Sequence, residues 1–229
     1  MTNNPRLYMN LRKLKNRHGK VWLNVASGMH LLEDFANLDS SFLYFFAPFY
    51  PVIRPLLKAP ARQWIEQYRK LKAQRRFVFA NCGKPLPLPP GSVDHILASH
   101  FVEHLYHENA IRVVKGFHTI LKPGGTMHLI IPDLETRARR YLEQLGDPKA
   151  ADVFVESLTY HKPTMPHFSL RLLHALGVFD AGHHWMYDQY SFRVLLQEQG
   201  FHILQTNETP SAQWRATDWG QVNLVMQKM

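Results

Sequence analysis

Leu86 to Asp133 reads LPLPPGSVDHILASHFVEHLYHENAIRVVKGFHTILKPGGTMHLIIPD, and this stretch decides the fold. Pro89-Pro90-Gly91-Ser92 is a turn. Val93 to Ala98 is a short apolar run of buried-strand type, broken only by Asp94 and His95. Ile111, Val114, Phe117, Ile120 and Leu121 then recur at helical spacing. Pro123-Gly124-Gly125 is expected to stop that helix through a left-handed glycine cap. Met127 to Ile131 is a second apolar run, closed by Pro132-Asp133. The stretch is therefore one strand–helix–strand unit. Such crossovers are almost always right-handed. Ligands of open α/β sheets sit outside the carboxyl ends of the strands. Ser99, His100 and Asp133 fall at those ends and are expected to face a common crevice.

N-terminal to this unit, residues 5–18 suggest a short basic amphipathic helix with Leu7, Met9, Leu11 and Leu14 as its apolar points. VWLNVA at 21–26 and ANLD at 36–39 read as buried strands. They lie too close together for an ordinary helical crossover, so a loop or a single turn must join them. Phe42 to Leu57 is the most apolar segment. Its uncharged run is far short of the ~20 residues a membrane span needs, and Pro48 and Pro51 interrupt it. The segment 40–76 is expected to be an insertion or lid ending in a basic helix, followed by a strand at 77–80. C-terminal to the unit, a helix over 134–145 precedes a histidine-rich cover at 149–186. A helix over 187–199 capped by Gly200 and strands at 201–206 and 222–227 complete the pattern. The whole reads as one α/β domain over 1–229, with a doubly wound, mostly parallel sheet and an antiparallel terminal strand.

Composition narrows the function classes. The chain has 229 residues, a formal net charge of +9 and one cysteine. A lone Cys82 excludes an internal disulfide framework and suits a reducing, cytoplasmic compartment. No secretory signal pattern is expected in residues 1–20. The basic charge concentrates in 1–20 and 54–76, and the remainder of the chain is mildly acidic. Two such patches suit solvated helix faces equally well as peripheral contact with an anionic membrane or a phosphate-rich partner. No motif for reading nucleic acid accompanies them, so a nucleic-acid partner is not expected.

Several short motifs, in order and at these spacings, resemble class I S-adenosylmethionine-dependent methyltransferases of the methyltransferase-11-like kind, many of which belong to surface-polysaccharide pathways. They are LNVASG at 23–28, NLD at 37–39, Asn81, LPLPPGSVD at 86–94, SHFVEHL at 99–105, LKPGG at 121–125, IPDLE at 131–135 and HHWMYDQYSFRVLLQEQGF at 183–201. The resemblance implies a seven-stranded Rossmann-like sheet and S-adenosylmethionine as cofactor. It places Asn24, Ala26, Ser27 and Gly28 on the first glycine-rich turn and Asp39 on the ribose hydroxyls. Asn81 and Cys82 would lie beside the adenine, and Ser99 and His100 beside the sulfonium. The family usually has acids where Asn24 and Asn81 stand, and glycine at Ala26. Those departures keep a second reading open, a non-catalytic binding or scaffold protein on the same fold. The acceptor implied is a small molecule or glycan, methylated on oxygen or nitrogen.

Two histidine motifs remain. His183-His184-Trp185-Met186-Tyr187-Asp188 precedes the last helix, and His184 is the candidate base for a hydroxyl acceptor, with His100 as the second catalytic candidate. His100-Phe101-Val102-Glu103-His104 matches the H-x-x-E-H zinc pattern. That reading would need His100 and His104 on one helix face and a distant ligand, Glu156. The methyltransferase pattern accounts for the same letters without metal, so none is expected, and Glu103 is taken as an acid of the first helical turn.

Overall fold

The computed structural model describes residues 9–28, 30–40, 49–56, 59–74, 76–159, 182–206 and 220–229. Its centre is a seven-stranded sheet in the order β3-β2-β1-β4-β5-β7-β6. The strands are β1 Trp22–Val25, β2 Ala36–Asp39, β3 Phe77–Phe79, β4 Val93–Ser99, β5 Leu121–Pro132, β6 Phe201–Thr206 and β7 Gln221–Lys228. β1, β2, β3, β4 and β5 pair in parallel. β7 runs antiparallel to both β5 and β6. This is the doubly wound, mostly parallel α/β arrangement the sequence pattern implies, with helices on both sides.

The apolar runs explain the layers. Leu23 and Val25 of β1, Ile96, Leu97 and Ala98 of β4, and Leu129, Ile130 and Ile131 of β5 are all buried. Near-continuous burial is what a parallel sheet covered on both faces requires. Helix α4, His107–Ile120, follows α1 (Leu11–Leu14), α2 (Tyr50–Ile53) and α3 (Ala59–Ala73) along the chain. It buries Ala110, Val113, Val114, Phe117 and Ile120, one stripe at helical spacing. Three further helices are α5 Leu134–Glu143, α6 Ala150–Thr159 and α7 Gln189–Glu198. Asp188 caps α7 in a capping box with Ser191, and Gly200 ends it at φ +87°.

Three expectations need correction. The basic N-terminal helix is a single turn within the described residues. Asn10 caps it at Arg12 N, and Asn16 then turns the chain back by accepting from His18 N and Lys20 N. Helix α4 ends at Ile120, before Pro123-Gly124-Gly125, where Leu121 is already extended. Gly124 takes its left-handed φ of +72° inside the long β5 instead, where the pairing with β4 shifts register. Asp133 does not present its carboxylate to the crevice. It caps α5, accepting from Glu135 N, Thr136 N and the Thr136 hydroxyl.

The expected short link between β1 and β2 is present: no helix is described between Val25 and Ala36. The lid segment and the histidine-rich cover lie partly outside the described residues, including His161, His167 and His174. Among the described residues no helix is long and apolar enough to cross a membrane.

Candidate active site

The carboxyl ends of β1, β2 and β4 form a cradle from the turn Ala26-Ser27-Gly28. Ala26 at φ +52° and Gly28 at φ +50° both hold the left-handed conformation, which costs a residue with a Cβ more than it costs glycine. Tertiary bonds hold the turn there. Ser27 N donates to Leu38 O at 3.0 Å, and Gly28 N donates to the Asp39 carboxylate at 2.7 Å. Cys82 lies beneath, its sulfur 3.6 Å from the Leu38 and Ala80 carbonyls. Burial pushes its thiol up to about 12, with nearby Asp39 adding to the rise against the Ala26 N–H. A thiol so held packs and does not attack.

Asn24 sits under this turn. Its amide nitrogen donates to His30 O at 2.7 Å and to Asn37 Oδ1 at 2.9 Å. Asn37, fully buried, is the hub that sequence reasoning missed. It also accepts from Leu32 N and donates to the carbonyls of Leu32, Phe35 and Arg76. The only signal in sequence was a polar residue inside an apolar strand. Asn81 is exposed and accepts from Gly83 N.

Two hydroxyls here are unspent. Ser27 Oγ and Ser99 Oγ are buried and have no hydrogen-bond partner among the described residues. Such groups are costly unless something satisfies them. A nucleoside-linked sulfonium with its amino-acid tail and ribose brings polar atoms to the carboxyl ends of β1 and β4, so the residues present fit it. Ser27, Ser99, Gly28 and Asp39 would hold it.

The second half of the site begins where β4 stops. His100 takes φ +51°, strained for a bulky side chain. Gln221 Nε2 lies 2.9 Å from its Nε2. Its Nδ1 lies 3.2 Å from Glu103 Oε1, though outside hydrogen-bond geometry. Both ring nitrogens therefore face side chains, and His100 is set to position Glu103. Glu103 is the acid of a first helical turn, as expected, but a buried one. It lies in a 3-10 turn, Val102–His104, with 1% exposure. Its backbone carbonyl accepts from His184 N at 2.8 Å and Trp185 N at 3.2 Å. That pins 183–185 against the turn and brings His183 to His104, their ring centroids 5.0 Å apart. His184 stacks on Tyr106 at 4.2 Å. Arg137, also buried, donates to the carbonyls of Asp133, Ser157 and Gly220. Burial lowers its pKa, while Asp133 and Glu103 pull it up. Glu156 is exposed on α6, so the ligand set His100, His104 and Glu156 does not assemble.

The comparisons agree with this fold. A family model described as a methyltransferase domain matches residues 17–206. A SAM-dependent methyltransferase of Methanosarcina mazei is similar at 13% identity and a TM-score of 0.53, covering 100% of this chain and 98% of that one. The PH0226 protein of Pyrococcus horikoshii is similar at 16% identity and a TM-score of 0.52, covering 91% and 81%. No curated protein sequence is detectably similar.

Proposed function

The chain belongs to the methyltransferase domain family, with S-adenosylmethionine as its cofactor, and from that premise we propose that it methylates an oxygen or nitrogen of a small-molecule or glycan acceptor. The observation that carries this reading is the pair of buried, unpartnered hydroxyls, Ser27 and Ser99, beside the Gly28–Asp39 bond. When bound, the cofactor supplies an electrophilic methyl group on a charged sulfur. Asp39 would take the ribose hydroxyls on its carboxylate. The left-handed turn at 26–28 lets the backbone approach the ligand closely. Ser99, at the end of β4, would face the reacting side.

The chain's main catalytic resource in this reading is positioning, worth up to ~7–11 kcal/mol when reacting atoms are held in line. His184 is the candidate to take the proton of a hydroxyl acceptor, and His100 acts beside it by fixing Glu103. Asn24 serves as a clamp under the turn, because both hydrogens of its amide are committed to His30 O and Asn37 Oδ1. The loss of the family's acid there is compatible with cofactor binding for that reason. A sugar acceptor and a cytoplasmic workplace follow from the resemblance alone. Against an anionic-surface contact, part of the basic charge is paired with acids of the chain itself at the surface. Arg17 pairs with Asp34 at 3.1 Å and Lys70 with Glu33 at 2.5 Å.

Calorimetric titration of the full chain tests the reading. The wild type binds S-adenosylmethionine saturably, and Asp39→Asn weakens it by about 10–100-fold, the worth of hydrogen bonds to a charged group. No saturable binding at millimolar cofactor favours the scaffold reading and ends this one.

A further inference from the structure

Glu103, His104 and His183 each place one potential ligand atom within 4.8 Å of the other two. We propose that they bind a first-row divalent transition-metal ion, zinc or a close relative, at the acceptor end of the crevice. The carboxylate of Glu103 is the first support. Both its oxygens are buried and neither has a hydrogen-bond partner among the described residues, although a buried carboxylate ordinarily collects several.

The two imidazoles are the second support. His104 donates from Nδ1 to Gly182 O at 2.9 Å, and His183 donates from Nδ1 to Leu158 O at 2.8 Å. A carbonyl can only accept, so in each ring Nδ1 carries a hydrogen. Metal-binding histidines are held in this way, with the far nitrogen on a backbone carbonyl. Two imidazoles and one carboxylate form a set suited to zinc and its neighbours, and a three-ligand site leaves a position open. Tetrahedral ligands about 2.1 Å from an ion lie about 3.4 Å from each other. The side chains therefore have little more than about an ångström to close.

The frame of the site is built from distant segments. His184 N and Trp185 N donate to Glu103 O, and His183 N donates to Thr159 O at 3.3 Å. The 3-10 turn after β4, the end of α6 and the approach to α7 are thus locked together. Arg137 is the alternative answer to the Glu103 charge. Its Nε and Nη1 donate to three backbone carbonyls, and the Glu103 oxygens take no hydrogen bond from it. Metal binding needs no methyl donor and goes beyond the methyl-transfer reading. An ion here would hold an oxygen of the acceptor, a role that does rest on that reading.

The experiment uses the full chain stripped with a chelator, then titrated with Co²⁺ and Zn²⁺ and no cofactor. One equivalent of Co²⁺ should bind, with visible d–d absorption that Zn²⁺ displaces. Glu103→Gln, which keeps the shape of the side chain, and His183→Ala should each weaken binding at least ~10-fold. His202→Ala, outside the cluster, should leave it unchanged. A wild-type readout covers the case in which those variants misfold. Zn²⁺ should protect His104 and His183, and not His202, from acylation by diethyl pyrocarbonate mapped by mass spectrometry. Absence of stoichiometric binding, or binding and protection indifferent to the cluster, overturns the proposal. Neither outcome touches the cofactor titration above.

Discussion

At and just past the two ends of β4 stand two acids in opposite conditions, Asp94 half-buried and Glu103 buried. At the amino end, Asp94 accepts from Val21 N at 2.8 Å and from Lys122 at 2.7 Å, with Lys20 at 3.5 Å. Burial alone would raise its carboxyl, yet these partners outweigh it and hold it below the usual range. The cavity there, lined by Lys20, Trp22, Asp94, His95 and Lys122, is electrically closed. Past the carboxyl end, Glu103 is buried more deeply, and its oxygens accept no hydrogen bond among the described residues, with only His100 Nδ1 at 3.2 Å from Oε1. Five residues before Ser99 the strand uses its charge to join the start of β1 to β5. Four residues after it, a charge is held in reserve. The difference teaches where ligand chemistry belongs, because a buried polar group without its hydrogen bonds is costly unless something else offsets the cost.

The largest test of that contrast goes through Asn37, the neutral counterpart of Asp94. Asn37→Ala should cost about 3–5 kcal/mol in urea unfolding, since several buried partners lose their bonds at ~1–3 kcal/mol each. A loss below about 1 kcal/mol would show that the cradle does not depend on it.

Next in size is a pH effect at the closed end. Burial, with His128 nearby, pulls His95 down to about 4. Its folded form therefore resists protonation while the unfolded chain takes a proton near pH 6.5. Stability from this group is complete above about pH 6.5 and declines as pH falls toward about 4, by on the order of 2–3 kcal/mol. Chemical denaturation of His95→Gln across that window should lack this decline.

Asp94→Asn should destabilise by about 1–2 kcal/mol through loss of its charged partners. It should also remove the acid limb that sets in when Asp94 protonates, because a depressed carboxyl stabilises above its unfolded value and fails below it. Smallest, and opposite in sign, Glu103→Gln should leave the metal-free chain as stable as the wild type or up to ~1 kcal/mol more stable, since it replaces a buried carboxyl group that accepts no hydrogen bond among the described residues. Thermal melts of these two variants side by side decide the matter. Equal destabilisation would erase the distinction between the ends.

Much of the cradle was legible in sequence because it is local. Val93–Ser99, the apolar stripe of α4 and the apolar part of β5 follow from periodicity, and Ser27, Gly28, Asp39 and Ser99 fall at strand ends by counting. What was misread shares one cause. The N-terminal turn, the end of α4 and the Asp133 cap were each decided by hydrogen bonds to partners that a propensity reading does not weigh. Glu103 read only as an acid of a first helical turn, because nothing adjacent in sequence announces its burial beside the segment at 183–185.

The order of residues alone determined the alternation of strands and helices, the seven-stranded α/β class and the strand ends at which a ligand could sit, since the 2.0 and 3.6 periods act over a few residues. Tertiary structure alone decided that Asn37 would be the hub of the cradle and that Glu103, His104 and His183 would meet. The deciding contacts among them join positions 13, 39 and 80 residues apart, and only the closing of the whole sheet fixes which side chains lose water together.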